Sequence, residues 1–276
     1  TRFAERVEAQ ADAALKAGHT ITARESYLRA FTYYRMPLIF TRPTDRHMRE
    51  NYEKSRVCFQ HAAALLPNRI EPITVPYRHF KLPGYFMPGG TSGDKLPTLI
   101  VTYGGEVYAE ELYFWAGAAG MRRGYNVLIV DLPFHLGGRL QTEQVGLSSA
   151  EAMFDLPLVA VTDYALTRSD VDSHKLAVVG YSAGGTYASR LAMRDKRIKA
   201  LIADSPIRNM AELFEEEFPP ALLKAPRFVG NAVTKLAGMS NPMSAAVFER
   251  TFWQGGINGI HEMLDGLRDT IIIPEQ

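Results

Sequence analysis

The sequence predicts an α/β architecture: a mostly parallel sheet covered by helices, entered through a helical N-terminal arm. Three observations predict it. Residues 1–68 place apolar side chains only at three- and four-residue intervals, the period of an amphipathic helix. From Glu71 the texture changes to short β-rich runs: PTLIVTY (97–103), NVLIVD (126–131), KLAVVG (175–180) and KALIADS (199–205). Helical patterns separate those runs, and strands that alternate with helices form parallel sheets buried on both faces.

The elements follow in order. AERVEAQADAALKAG, TARESYLRAFTYYRM and MRENYEKSRVCFQHAAALL read as three arm helices, with Gly18, Pro43 and Pro67 as punctuation. They predict a cap or a dimerisation arm over residues 1–68. Cys58 lies on the apolar stripe of the third and reads as a buried structural thiol. The core covers 69–206 and opens with EPITVPYR and FKLPGYFM, two paired strands with His79 near their turn. Residues 207–268 return to helical patterns rich in Phe, Leu and Met and read as a lid. Residues 269–276 begin with the β-like run TIII and read as the start of the next core strand.

Composition excludes several classes. Thirty-one basic against thirty acidic residues give a net charge of +1, which offers no electrostatic footprint for nucleic acid. No apolar run approaches the roughly 20 residues of a membrane helix, and the charged N-terminus lacks the apolar centre of a signal peptide. The expectation is a cytoplasmic protein. A single cysteine excludes an internal disulfide and a Cys-based zinc site. No metal cluster, phosphate-cradling loop or dinucleotide fingerprint is legible, so neither metal nor cofactor is expected.

The chemistry centres on Gly180-Tyr181-Ser182-Ala183-Gly184-Gly185, where a strand must become a helix. Gly-x-Ser-x-Gly in that context is a nucleophile elbow: the serine sits on a strained turn that lifts its hydroxyl above the sheet. Only small neighbours let strand and helix approach so closely. The Ala183 backbone N–H, at the helix start, faces the place where an oxyanion would form. A second donor belongs on the glycine turn after PTLIVTY, which makes Gly105 and Glu106 candidates through their N–H groups. Glu110 and Glu111 follow as the charged start of a helix or as catalytic groups. Asp131 ends the next strand, and His135 lies on the loop LPFHLGG, where both are placed as possible pocket residues.

The segments GHTITARESYLRAFTYYR, LPGYF, GGEVYAEELY, RGYNVLIVD, DYALTRSDVD and GYSAGGTYASRLAMRDKRIKALIADSP resemble one branch of the α/β-hydrolase superfamily. That branch holds 2,6-dihydroxypseudooxynicotine hydrolase, the FrsA-like proteins and fungal enzymes that shorten polyketide chains. The resemblance covers most of residues 10–210. It implies an α/β-hydrolase fold, with a serine, an aspartate and a histidine that work together. It also implies an assisting glutamate after the Gly-Gly turn, which raises Glu110 or Glu111, and a homodimer as a reasonable assembly.

Two departures stand out. The family's Gly-Pro-Gly-Gln-Gly-like turn is replaced by Leu132-Pro133-Phe134-His135-Leu136-Gly137-Gly138, a bulkier wall. The family's acid and histidine follow on later strands, in the order Ser…Asp…His, and are expected beyond Gln276. A local alternative is Ser182…Asp204…His261, although His261 falls in the lid.

The function expected is a serine hydrolase acting on an apolar or aromatic ketone or ester, including carbon–carbon bond hydrolysis beside a carbonyl. Phe214, Phe218, Phe228, Met239, Met243, Phe252 and Trp253 form the pool of lid residues that line a pocket or pack the lid. The alternative is a non-catalytic binding or scaffold protein that keeps the elbow without a base. A peptidase ranks third, because no propeller-like run of strands precedes the core.

Overall fold

The computed structural model describes residues 1–91, 93–142, 155–216, 218–240, 242–268 and 272. At 142, 234–240, 242–245 and 247 it describes the backbone alone. The arm consists of α1 (Arg2–Lys16), α2 (Thr20–Arg35) and α3 (Arg46–Ala64). Gly18 ends α1 with φ 78, a left-handed turn that glycine adopts without strain. Asp45 caps α3 by accepting the His47 N–H at 2.8 Å.

Six strands follow: β1 (Glu71–Tyr77), β2 (Phe80–Met87), β3 (Leu96–Thr102), β4 (Asn126–Val130), β5 (Val171–Tyr181) and β6 (Ile198–Asp204). Their order across the sheet is β1-β2-β4-β3-β5-β6. β1 and β2 run antiparallel through a two-residue turn at Arg78-His79, and β2 meets β4 antiparallel. β4, β3, β5 and β6 are mutually parallel. Pro72 and Pro76 lack an N–H to donate, which suits β1 to its edge position. The chain leaves β3 towards β4 on one side and returns to β5 on the other. The carboxyl ends of β3 and β5 therefore flank a switch point, where open α/β sheets place their ligands.

Alternation along the strands divides the core. Leu128, Val130, Ile100 and Val178 face α6 (Asp155–Thr167) and α7 (Ala183–Arg194). Val127, Ile129, Val101 and Val179 face the arm, where Tyr27, Phe31, Tyr34 and Phe59 are buried among them. The arm is thus one covering layer of the sheet, and Cys58 lies fully buried within it.

Between β3 and β4 a π-helical segment, Tyr113–Gly117, leads into α4 (Ala118–Arg122), and α5 (Leu136–Thr142) follows β4. Beyond β6 come α8 (Met210–Glu216), α9 (Pro220–Lys224), α10 (Arg227–Ser240), α11 (Pro242–Gly255) and α12 (Ile260–Arg268). α11 touches the arm, where Arg250 donates to the Ile39 carbonyl at 2.8 Å. The β-like run 270–273 lies outside the described residues apart from Ile272. Among the described residues no helix is long and apolar enough to cross a membrane.

Candidate active site

Ser182 stands between β5 and α7 with φ 55 and ψ −129, a conformation that costs a non-glycine residue about 1–3 kcal/mol. Surrounding backbone holds it there. The Ser182 N–H donates to the Asp204 carbonyl at 2.9 Å, and the Ser182 carbonyl accepts the Gly185 N–H at 2.7 Å. The glycines of the motif are explained by space. A Cβ on Gly180 would lie 2.1 Å from the Gly184 carbonyl oxygen, and one on Gly184 would lie 2.4 Å from the Tyr103 backbone. The turn after β6 braces the corner from outside. Thr186 donates to the Ile207 carbonyl at 2.6 Å, and the Ile207 N–H returns to the Thr186 hydroxyl at 3.1 Å.

The Gly104–Glu106 turn, at the end of β3, lies against this elbow. A Cβ on Gly104 would sit 3.5 Å from Ser182 Oγ and 3.6 Å from the Ala183 nitrogen. The Ser182 hydroxyl, the Ala183 nitrogen and the start of the Gly-Gly turn thus lie close together, an arrangement compatible with acyl-transfer chemistry.

Side chains from distant elements hold the turn. His135 is fully buried: its Nδ1 accepts the Leu132 N–H at 3.0 Å, and its Nε2 lies 3.0 Å from the Tyr103 carbonyl. Since Nδ1 accepts, Nε2 carries the proton and donates. Burial pushes the ring's pKa down to about 3, so the imidazole is neutral. Gln254 Nε2 donates to the Gly105 carbonyl at 2.5 Å and to the Phe134 carbonyl at 3.4 Å. Arg35 donates to the Glu106 carbonyl at 2.9 Å and pairs with Glu111 at 2.8 Å. Arg250 reaches the Glu106 carboxylate at 2.9 Å.

The acidic candidates lie around this turn. Glu110 is buried and accepts the Tyr85 hydroxyl at 2.7 Å, and burial raises its pKa. Glu111 also accepts the Tyr108 N–H at 3.0 Å. Burial raises its pKa too, with Arg35 opposing. Asp131 is buried and accepts the Tyr103 hydroxyl. Its carboxyl is held well above the usual range by burial and then by the nearby Glu110 charge.

The structure therefore brings Ser182 and Ala183 against Gly104, the residue that leads into Gly105 and Glu106. It places Asp131 and His135 in the closed layer beneath them. Arg35, Arg250 and Gln254 also converge on this turn, and nothing local in their sequence neighbourhoods marks them. The local alternative triad is not assembled. His261 Nε2 lies 3.3 Å from the Leu223 carbonyl, and Asp204 accepts the Ser205 hydroxyl at 3.2 Å. Among the described residues no side chain hydrogen bonds to the Ser182 hydroxyl.

The lid candidates divide. Phe214, Phe218 and Phe252 pack partly buried against the core, and Trp253 packs on the cluster formed by Leu38, Met48, Tyr52 and Tyr108. Phe228 is exposed. The side chains of Met239 and Met243 lie outside the described residues.

A family model described as "Alpha/beta hydrolase family" matches residues 85–268, two-thirds of the chain, including Ser182, the Gly104–Glu106 turn and Gln254. The chain belongs to the α/β-hydrolase family. Among similar proteins, the alpha/beta hydrolase xenA of Xenoacremonium sinensis is 32% identical over 80% of this chain and 53% of its own length. The hydrolase acrC of Aspergillus aculeatus is 30% identical over 96% of this chain and 67% of its own length. The 20-hydroxy-prefusarin hydrolase of Gibberella moniliformis is 32% identical over 77% and 51%. The chain spans between about half and two-thirds of the length of these relatives. Among solved structures, 2,6-dihydroxy-pseudo-oxynicotine hydrolase superposes with TM-score 0.67 at 19% identity, over 91% of this chain and 66% of that one. The α/β-hydrolase fold, and the branch that the sequence resembles, are both supported by these likenesses.

Proposed function

We propose that this α/β-hydrolase is a serine-nucleophile enzyme attacking the carbonyl carbon of an apolar or aromatic ester or ketone. The observation that carries the reading is Ser182 itself, held at φ 55 beside the Gly104–Glu106 turn and at the start of α7. In this reading Ser182 Oγ adds to the carbonyl and its proton passes to a base. The resulting oxyanion is received by the Ala183 N–H and by those of Gly105 and Glu106. Collapse expels an alcohol from an ester, or a stabilised carbanion from a ketone, and water then releases the acyl group. The names of two similar proteins, 20-hydroxy-prefusarin hydrolase and 2,6-dihydroxy-pseudo-oxynicotine hydrolase, put compounds of those two kinds beside simple esters as substrates to test. Residues 207–268 serve as the lid, with Phe218, Phe248 and Phe252, which lie in one aromatic series, on its apolar side.

Among the described residues no histidine hydrogen-bonds to Ser182, and the group that takes its proton is not assigned to any of them. That same observation favours a second reading, a binding protein that keeps the elbow without catalysis. A substrate panel on the protein produced from its complete gene separates the two. Aryl esters and aromatic 1,3-diketones are turned over in the enzyme reading, and Ser182→Ala abolishes both activities. Equal rates in Ser182→Ala and the parent would overturn it.

A further inference from the structure

We propose that Gln254 and Arg35 are positioning residues that fix the oxyanion-binding turn, so that α11 and the N-terminal arm set the nucleophile's competence from outside the site. This rests on the assignment of Ser182 as nucleophile and of the Gly104–Glu106 turn as its partner.

The argument is one of peptide planes. Every peptide bond of the described chain is trans, so each C=O points opposite to the N–H that shares its plane. Holding a carbonyl therefore aims the next residue's N–H. The Gly105 carbonyl shares its plane with the Glu106 N–H, a candidate oxyanion donor. Gln254 Nε2 takes that carbonyl at 2.5 Å, and with it the direction of the Glu106 N–H. The Glu106 carbonyl shares its plane with the Val107 N–H, and Arg35 takes it at 2.9 Å. The Tyr103 carbonyl shares its plane with the Gly104 N–H, and His135 takes it at 3.0 Å.

A glycine pair needs such support, because Gly104-Gly105 has the widest choice of backbone conformations in any sequence. The clamp is also specific in chemistry. Gln254 faces two carbonyls, those of Gly105 and Phe134, so its amide nitrogen must be the end presented. Arg35 satisfies the Glu106 carbonyl and the Glu111 carboxylate together, which a lysine's single ammonium does less well. Glu106 itself is tied to the arm by its carbonyl and to α11 by its carboxylate. A residue of the oxyanion turn thus joins the two helical regions that flank the site.

The test uses Gln254→Glu, which keeps the shape but sets a carboxylate against two carbonyls, and Arg35→Met, which removes the guanidinium. Two measurements are made on the protein from its complete gene. The first is the backbone ¹⁵N order parameter at 104–107 and at Ala183. We expect Glu106 to fall in Gln254→Glu and Val107 in Arg35→Met, from a rigid value of about 0.85 towards about 0.6, with Gly104 and Ala183 unchanged. The second is aryl-ester kinetics. We expect kcat to fall about tenfold to a hundredfold with KM unchanged, the pattern of lost transition-state positioning. Unaltered order parameters at Glu106 and Val107 would overturn the inference, as would a raised KM at constant kcat. The Ser182→Ala control keeps the outcomes apart: if it retains activity the nucleophile assignment fails, whatever the order parameters show.

Discussion

At the end of β5 the chain turns through Ser182 on its own backbone. The Gly180 and Gly184 vacancies, the Asp204 carbonyl and the helix start sit within a few residues or on the neighbouring strand. At the end of β3 the facing turn is held by Arg35, His135 and Gln254, which lie 71, 32 and 149 residues from the carbonyls they grip. The elbow is a local device fixed by sterics. The Gly104–Glu106 turn is held over long range by hydrogen bonds, from the arm, from the loop after β4 and from α11.

The contrast breaks most directly at its glycines. Gly184→Ala would set a Cβ 2.4 Å from the Tyr103 backbone, and Gly180→Ala one 2.1 Å from the Gly184 oxygen. Neither neighbour is a flexible side chain, so each substitution is expected to cost about 3 kcal/mol or more, read as the shift in a urea unfolding midpoint. A loss below about 1 kcal/mol would show that the elbow is looser than its packing indicates.

The next effect concerns His135. His135→Leu leaves the Leu132 N–H and the Tyr103 carbonyl buried without partners and should cost about 2 kcal/mol or more. Its pH signature is separate. The folded ring stays neutral down to about 3, whereas the unfolded ring takes its proton near the ordinary value of about 6.5. Between those values the unfolded state binds more protons, so stability falls as pH drops, by up to about 1.4 kcal/mol per unit from this group. Equilibrium unfolding from pH 7 to pH 4 checks this, and the slope should shrink in His135→Leu.

Asp131 provides the opposite sign. Its carboxyl pKa is raised in the folded state, so the folded protein holds the proton to higher pH than the unfolded chain does. Its contribution is therefore fully present below the unfolded pKa and is lost as pH rises through the folded one. Asp131→Asn, which can still accept from Tyr103, should flatten that alkaline loss. A variant as pH-sensitive as the parent would place the effect elsewhere.

The smallest effect is Gly105→Ala. Its Cβ would meet nothing closer than the Gln254 amide at 3.7 Å, so stability should change by no more than about 0.5 kcal/mol. Set beside Gly184→Ala, it measures how differently the two turns are confined.

The same contrast governs what the sequence reveals. The β-rich runs and Gly-x-Ser-x-Gly are local patterns, and the strands β3 to β6 fall on the four runs within a few residues. The longest disagreement is β5, which starts at Val171 rather than Lys175 because Leu96 of β3 pairs with Val171 beyond a register shift. Arg35, Arg250 and Gln254 look like any other charged or polar side chains on amphipathic helices. Only the folded chain shows that they converge on one turn. His135 illustrates the limit from the other side: a histidine on a glycine-containing loop after a strand suggested an open pocket wall. Its two ring nitrogens are instead spent on backbone groups, and the ring is buried against those of Tyr103 and Phe134.

The most direct test of the central assignment is covalent. The protein produced from its complete gene is treated with a fluorophosphonate, and the tryptic peptide 176–190 is weighed. A single adduct on that peptide, absent in Ser182→Ala, is the expected result and identifies Ser182 as an activated nucleophile. No adduct, or one that persists in Ser182→Ala, would contradict the assignment and leave the elbow as a strained turn without catalytic use.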